Sequence, residues 1–439
     1  MFYVNKIPFK FSMVYFSIFL VIGINAPFWP LWLSSKGFDS RYIALIISLS
    51  VLLKIISNPF FAGLGDKYGN RKIPMLYLSF IASIILFSLS FINSLVLLGC
   101  LSIIAWVFFA PLMPLTESLT TTAINKYNFD YGRTRLWGSV SFILMALLGG
   151  ILVDTYGLIT VPYVMSIGTL IVFISIYFTP TVHSPPSRHK IKILTLLRNR
   201  SFLPFLLVCG TIQASHGLYY GFATIHWNNI GISKTMIGVL WAEGVLFEIL
   251  LLAYFYKIKT YFSSKSLLIF AGLIGAIRWS LTAYTTEPVI LSLIQSLHAI
   301  TFGLTHISAI FFISEVMPIR GQAKSQALYS AISMGVFMSI AIAISGDLYE
   351  SYQEKAFIFS AFLSRRAKPR PPLFMGRLRA RPFRHRTARR KPGRPPTRPF
   401  SPRPTKPRPN LSNWPVALFA SSQLFLRMVA LVDLCAHCV

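Results

Sequence analysis

The chain has 439 residues, 54% of them hydrophobic and 13% charged, with 37 phenylalanines. Apolar runs of roughly 20 residues recur, the length a helix needs to cross a ~30 Å hydrocarbon core, so a soluble multidomain chain is excluded and a polytopic membrane protein is expected. The net charge of +29 is concentrated: residues 365–439 hold 18 of the 42 Lys and Arg and one of the 13 acids, leaving a net +12 on the first 364 residues.

In chain order, the hydrophobic runs predict spans near 11–33, 41–63, 73–92, 94–116, 136–153 and 158–178. Further spans follow near 202–226, 236–256, 266–285, 288–314 and 325–347. The first run, Phe11–Leu33, is too long for a signal peptide and lacks a small-residue cleavage site, so it reads as the first span. A twelfth run begins at Lys355 and breaks off after about nine apolar residues, against the roughly 20 needed. The expected fold is therefore all-α, with eleven full transmembrane helices and a truncated twelfth. Its parts are a first six-helix bundle (1–180), an inter-bundle loop (181–201) and a second bundle (202–364). Beyond these lie a disordered Arg/Pro-rich tail (365–409) and an apolar tail of open status (410–439).

Loop charges predict orientation. If the N-terminus is inside, the inner segments hold 18 Lys and Arg, while the outer loops hold Lys36, Arg41, Lys234 and Lys355 alone. That asymmetry puts the N-terminus in the cytoplasm of the inner membrane. Six spans, a longer loop and nearly six more form the layout of a two-bundle secondary transporter.

Charges inside or beside spans are costly and point to function. Between spans two and three lie Asp66, Lys67, Gly69 and Arg71, where Gly permits a tight turn and the Asp faces a helix start. Read plainly, this is a basic inner loop that obeys the topology rule. Glu117 ends span four, and Asp130, Arg133 and Arg135 open span five. At 1.5 Å per residue, Lys54, Arg278 and Glu248 lie roughly 18 Å along their spans and His298 about 15 Å. Four spans thus bring ionisable groups to one level. Arg278 with Glu248 is either a buried pair that fixes packing or part of a proton-coupling network, with Glu243 nearby. Glu117 and Arg135 either contact substrate or anchor a loop, and Pro111 and Pro114 are expected to bend span four. Tyr219 and Tyr220 are candidates to stack on an aromatic ligand. His216, His226 and His306 read as hydrogen-bonding residues, and the run from Phe28 to Trp32 as an interfacial belt. Lys54 has no evident partner.

The Asp66 loop resembles the cytoplasmic loop signature of the major facilitator superfamily, although the matching loop of the second half, 256–266, lacks the Gly-Asp pair. Asp130, Gly132, Arg135, Trp137, Gly138 and Ser139, preceded by Glu117, resemble the phenylpropionate-type permeases of that superfamily, relatives of lactose permease and of nucleoside–proton symporters. Gly217 to Phe222, Gly238 to Trp241, and Arg278 with Trp279 agree, and the resemblance spans about residues 10–362. It implies that the Asp66 loop gates the inward-closed state, that Glu117 and Arg135 grip substrate, and that Arg278 and His298 handle the proton. Thr301 stands where lactose permease has a proton-handling carboxylate, so Glu243 or Glu248 is expected to take that work. An Arg in the cavity suits a carboxylate substrate.

After Leu363 the composition changes. Residues 365–409 hold 17 Lys and Arg, 12 Pro and no acid, which cannot bury a core. A frameshift near codon 364 accounts for the break in mid-span; a basic tail that binds lipid or nucleic acid is the alternative. The four cysteines give no disulfide framework, and Cys435 with Cys438 supplies two of the four ligands that a closed zinc site needs.

The expectation is a non-enzymatic, monomeric symporter that takes up a small aromatic carboxylate such as 3-phenylpropionate with a proton. Its partners are the substrate, protons and the lipid bilayer, without cofactor, metal or nucleic acid. A nucleoside or sugar proton symporter is the alternative within the class. Outside it stand a membrane anchor presenting a basic tail and an inactive frameshifted product.

Overall fold

A computed structural model describes residues 6–182 and 193–366. The expectations for residues 183–192 of the inter-bundle loop and for both tail segments beyond 366 lie outside the described residues. Among the described residues every regular element is a helix. The first half holds α1 (Lys6–Ser35), α2 (Ser40–Lys67), α3 (Lys72–Phe91), α4 (Leu95–Tyr127), α5 (Tyr131–Tyr156) and α6 (Thr160–Phe178). The second holds α7 (Phe202–Asn229), α8 (Lys234–Tyr261), α9 (Ser264–Thr282), α10 (Pro288–Val316), α11 (319–352) and α12 (Phe357–Arg366). Eleven segments are long and apolar enough to cross a membrane, the last running through α11 into α12. The described part of α12 has 10 residues, about half of a hydrocarbon core at 1.5 Å per residue.

Polar residues in the turns start the helices. Asp39, Ser94, Asp130, Ser233 and Ser263 each accept a hydrogen bond from the backbone N–H three residues on, which satisfies a donor that the helix leaves orphaned. Large apolar side chains such as Ile56, Phe60, Ile167 and Leu293 stay exposed on the outside, as a lipid-facing surface requires. The centre belongs to α1 and α7. Phe11, Tyr15, Ile18 and Val21 on α1, with Phe205, Phe222 and Trp227 on α7, have no exposed surface. Trp29 and Trp32 are buried too and stack 4.7 Å apart. They do not form the interfacial belt expected of them, because α1 is enclosed by its neighbours along its length.

Several helices break where they pass the interior. α4 is interrupted at Ala110 and Pro111, where the proline ring and missing N–H stop regular bonding; Pro114 lies within the next helical stretch. α7 breaks at Ser215 and His216. α10 and α11 each contain a π-helical turn, Ala299–Leu304 and Ile332–Val336, a form that often accompanies functional positions.

The halves meet tightly at one end, the one opposite the basic loops. There α5 crosses α8 and α2 crosses α11. A Cβ on Gly238 would run into the carbonyl of Ala146, one on Gly150 into that of Lys234, and one on Gly346 into that of Ser40. Small residues let helix backbones approach this closely. Polar contacts fasten the same end. Arg41 pairs with Asp347 at 2.8 Å and Glu350 at 3.3 Å. Asp154 accepts from the backbone N–H of Lys234 (3.1 Å) and Thr235 (2.7 Å) and from the Thr235 hydroxyl (2.7 Å). Ser339 donates to the carbonyl of Ser48 at 2.9 Å. Toward the basic end, the second stretch of α4 packs on α1, α2, α3 and α5 of its own half. The result is a molecule sealed at one end, with its polar interior lying toward the other.

Candidate functional site

The first cluster is built where α1, α4 and α5 converge. Glu117 Oε1 faces Arg135 Nε at 3.5 Å. Its other oxygen accepts from the hydroxyls of Tyr15 (2.9 Å) and Tyr131 (2.6 Å). The Arg135 guanidinium lies over the Phe19 ring, 4.1 Å from its centroid, a geometry that holds a cation without fixing its hydrogen bonds. Both side chains of the pair remain about a quarter exposed. Across the gap between the halves, Glu248 of α8 and His306 of α10 lie within electrostatic range of Arg135.

The second cluster is enclosed in the second half. Arg278 has no exposed surface. Its Nη1 donates to His298 Nδ1 (3.1 Å) and to Thr301 Oγ1 (2.8 Å), and its Nη2 to Gln295 Oε1 (2.9 Å). The guanidinium also lies 4.3 Å from the ring centroid of Trp279. A guanidinium only donates, so His298 must present a bare Nδ1 to it. Thr301 is the hub, because His216 Nε2 meets the same hydroxyl at 3.1 Å. The break in α7 turns His216 inward, and the π turn of α10 brings Thr301 under Arg278 beside His298.

Arg278 and Glu248 were expected together and are apart. Among the described residues Arg278 forms no ion pair, and its Nε has no hydrogen-bond partner. The two residues share a depth, but α9 aims Arg278 between α7 and α10, whereas Glu248 packs against the π turn of α10. A Cβ on Gly303 would lie 2.9 Å from Glu248 Cγ. Glu243 lies elsewhere again, accepting from the Ser292 hydroxyl at 2.7 Å. Tyr219 and Tyr220 meet edge to face, their ring centroids 5.5 Å apart, but take different surroundings. Tyr219 is buried and donates to Gln295 at 3.3 Å, whereas Tyr220 faces a cavity.

That partly open cavity, about 300 Å³, is walled by α1, α2 and α4, with Tyr220 of α7 at its edge. Asn25, Trp29, Lys54, Trp106 and Phe109 line it. Its volume is at the small end of the range of roughly 300–1,000 Å³ for small-molecule sites.

The Asp66 loop ties α2, α3 and α6 together at the basic end. Asp66 pairs with Arg71 at 2.8 Å, and Gly69 takes a positive φ of +62°, which an L side chain resists. Next to it, Lys72 donates to the carbonyls of Tyr177 and Thr179 at 2.7 and 2.8 Å. Lys67 is exposed. Sequence reasoning did not select Tyr15, Tyr131 or Gln295, and ranked His216 low. Uncharged polar residues are frequent in spans, and only packing gives these their partners.

The profile of the MFS_1 like family matches residues 9–361. The chain belongs to that family. It is a secondary transporter of the major facilitator type. It is 28% identical over 360 residues to a protein of Escherichia coli strain K12 named "Probable 3-phenylpropionic acid transporter", covering 77% of this chain and 90% of the relative. It is 25% identical over 355 residues to the maltose permease of Geobacillus stearothermophilus, covering 78% and 88%. Among solved structures, a D323A mutant of the nucleoside transporter NupG superimposes with a TM-score of 0.75 at 14% identity, covering 82% of this chain and 98% of that one. At that identity the likeness concerns the fold.

Proposed function

We propose that the chain takes up a small aromatic carboxylate such as 3-phenylpropionate together with a proton, as a monomer in the inner membrane, with its N-terminus and basic end in the cytoplasm. The observation that carries this reading is the ion pair of Arg135 with Glu117, close enough to Glu248 for the two charges to interact. Glu117 belongs to its own half and Glu248 to the other. Opposite charges at 4 Å interact by about 4 kcal/mol at an effective dielectric constant of 20. In this reading an ionised Glu248 competes with Glu117 for Arg135, and a protonated one does not. Protonation of one carboxylate thus becomes a bias on the relative position of the halves, which is what coupling requires.

In this reading Glu117 and Arg135 bound the substrate space from below, and Tyr220 contacts substrate in the cavity. Tyr219, beneath Arg278, holds Tyr220 and Gln295 in place. The cluster of Arg278, His298 and Thr301 supports the proton-handling carboxylates, with Glu248 ahead of Glu243. The loop of Asp66, Lys67, Gly69 and Arg71 gates the basic end. Support for the substrate class comes from the aromatic lining of the cavity, from its cation, and from the name of the Escherichia coli relative. A nucleoside is the second reading, supported by a relative of Escherichia coli strain K12 named "Putative nucleoside transporter YegT", 22% identical over 370 residues.

The test is uptake of labelled 3-phenylpropionate by cells expressing the chain. A protonophore and Arg135→Ala are each expected to reduce uptake to background. Glu248→Gln should lose accumulation against a gradient. Uptake undiminished by the protonophore overturns proton coupling, and uptake of nucleosides in place of aromatic acids overturns the substrate class.

A further inference from the structure

We infer that the transported carboxylate sits in the cavity at Lys54, with the ammonium holding the acid group and the indoles of Trp29 and Trp106 flanking the ring. This rests on the proposed transport of an aromatic acid, and it names the residues that choose that class. Lys54 stands midway along α2, where a helix crossing a bilayer is farthest from water. Among the described residues it has neither an ion pair nor a hydrogen bond, and no carboxylate lines the cavity around it. A cation at such a depth is expensive unless something neutralises it. Among the described residues no counter-ion lines the cavity, and an anionic occupant supplies one.

The rest of the lining fits the same occupant. Trp29, Trp106, Phe109 and Tyr220 give flat apolar walls, suited to a ring by stacking and edge contacts. Asn25 adds a buried side-chain oxygen without a hydrogen-bond partner, a place for the proton of a hydroxyl or a bound water. A sugar would bring a hydroxyl on nearly every carbon, and each needs a partner when buried. These walls provide few. Tyr220 belongs to the opposite half from Lys54 and lies within electrostatic range of Glu248 and Arg278. An occupant that bridges Lys54 and Tyr220 therefore touches both halves at once, as a ligand must if it is to select between their arrangements.

The experiment uses the full chain in lipid nanodiscs, with binding measured by calorimetry for 3-phenylpropionate and for its neutral amide. Wild type is expected to bind the acid at least tenfold more tightly than the amide. Lys54→Gln should lower acid affinity at least tenfold, to the level of the amide, and leave amide affinity unchanged. Lys54→Arg should keep the preference for the acid, and Trp106→Ala should weaken both ligands alike. A Lys54→Gln protein that still prefers the acid overturns the inference while leaving aromatic-acid transport standing. If Lys54→Gln binds neither ligand, Lys54→Arg decides: a kept preference upholds the role of the charge, and a lost one overturns it. Wild type that binds neither ligand but does bind a nucleoside overturns the proposed substrate class, and this inference with it.

Discussion

Thr301 shows how much rests on one uncharged hydroxyl. It accepts from Arg278 and meets His216, while its backbone carbonyl accepts from Thr305. Thr301→Val keeps the shape and removes both side-chain contacts, leaving a buried guanidinium N–H and a buried imidazole nitrogen short of a partner. Such groups cost about 1–3 kcal/mol each, so thermal unfolding in detergent should show a lowered midpoint. An unchanged midpoint would mean that the cluster is not held by this hydroxyl. The ionisable members, Arg278 and His298, were legible in the sequence because an ionisable residue in an apolar run announces itself. Their partners were not. Depth along a helix can be counted from residue numbers, but direction around it turns by about 100° per residue, and packing fixes the final angle. The count put Glu248 level with Arg278, and the angle sent it toward Arg135. For the same reason adjacent residues, Tyr219 and Tyr220, took different partners, the first Gln295 and the second the cavity.

At the scale of helices, hydropathy marks which segments span and says less about how they join. Hydropathy located every span to within a few residues at its apolar end. It ended α2, α4 and α8 early, because these helices run on through polar residues past the hydrocarbon. The breaks in α7 and α10 carry no proline and left no mark in the composition. Nor did the crossing of α5 and α8, whose closeness depends on Gly150 and Gly238. Gly238→Leu should wedge these helices apart and favour the arrangement open at the sealed end. Spin labels placed at the ends of α5 and α8 opposite the basic loops should then move apart by several ångströms, and uptake should fall at least tenfold. An unchanged distance would show that the crossing absorbs a side chain and does not set the conformation.

For the whole molecule, every residue of the candidate site lies within 6–366, and the family match ends at 361. A chain cut after Arg366 should therefore take up substrate as well as the full chain does. Loss of uptake on cutting would place part of the activity in the basic tail. The seal itself reaches beyond its own contacts. Helices drawn together through glycines at one end, with the interior lying toward the other, give the protein a different cross-section in each leaflet. The proposed alternating-access cycle would reverse that taper. Lipids that press harder on one leaflet than on the other should therefore shift the equilibrium between the two states, and uptake into vesicles of different curvature would measure it.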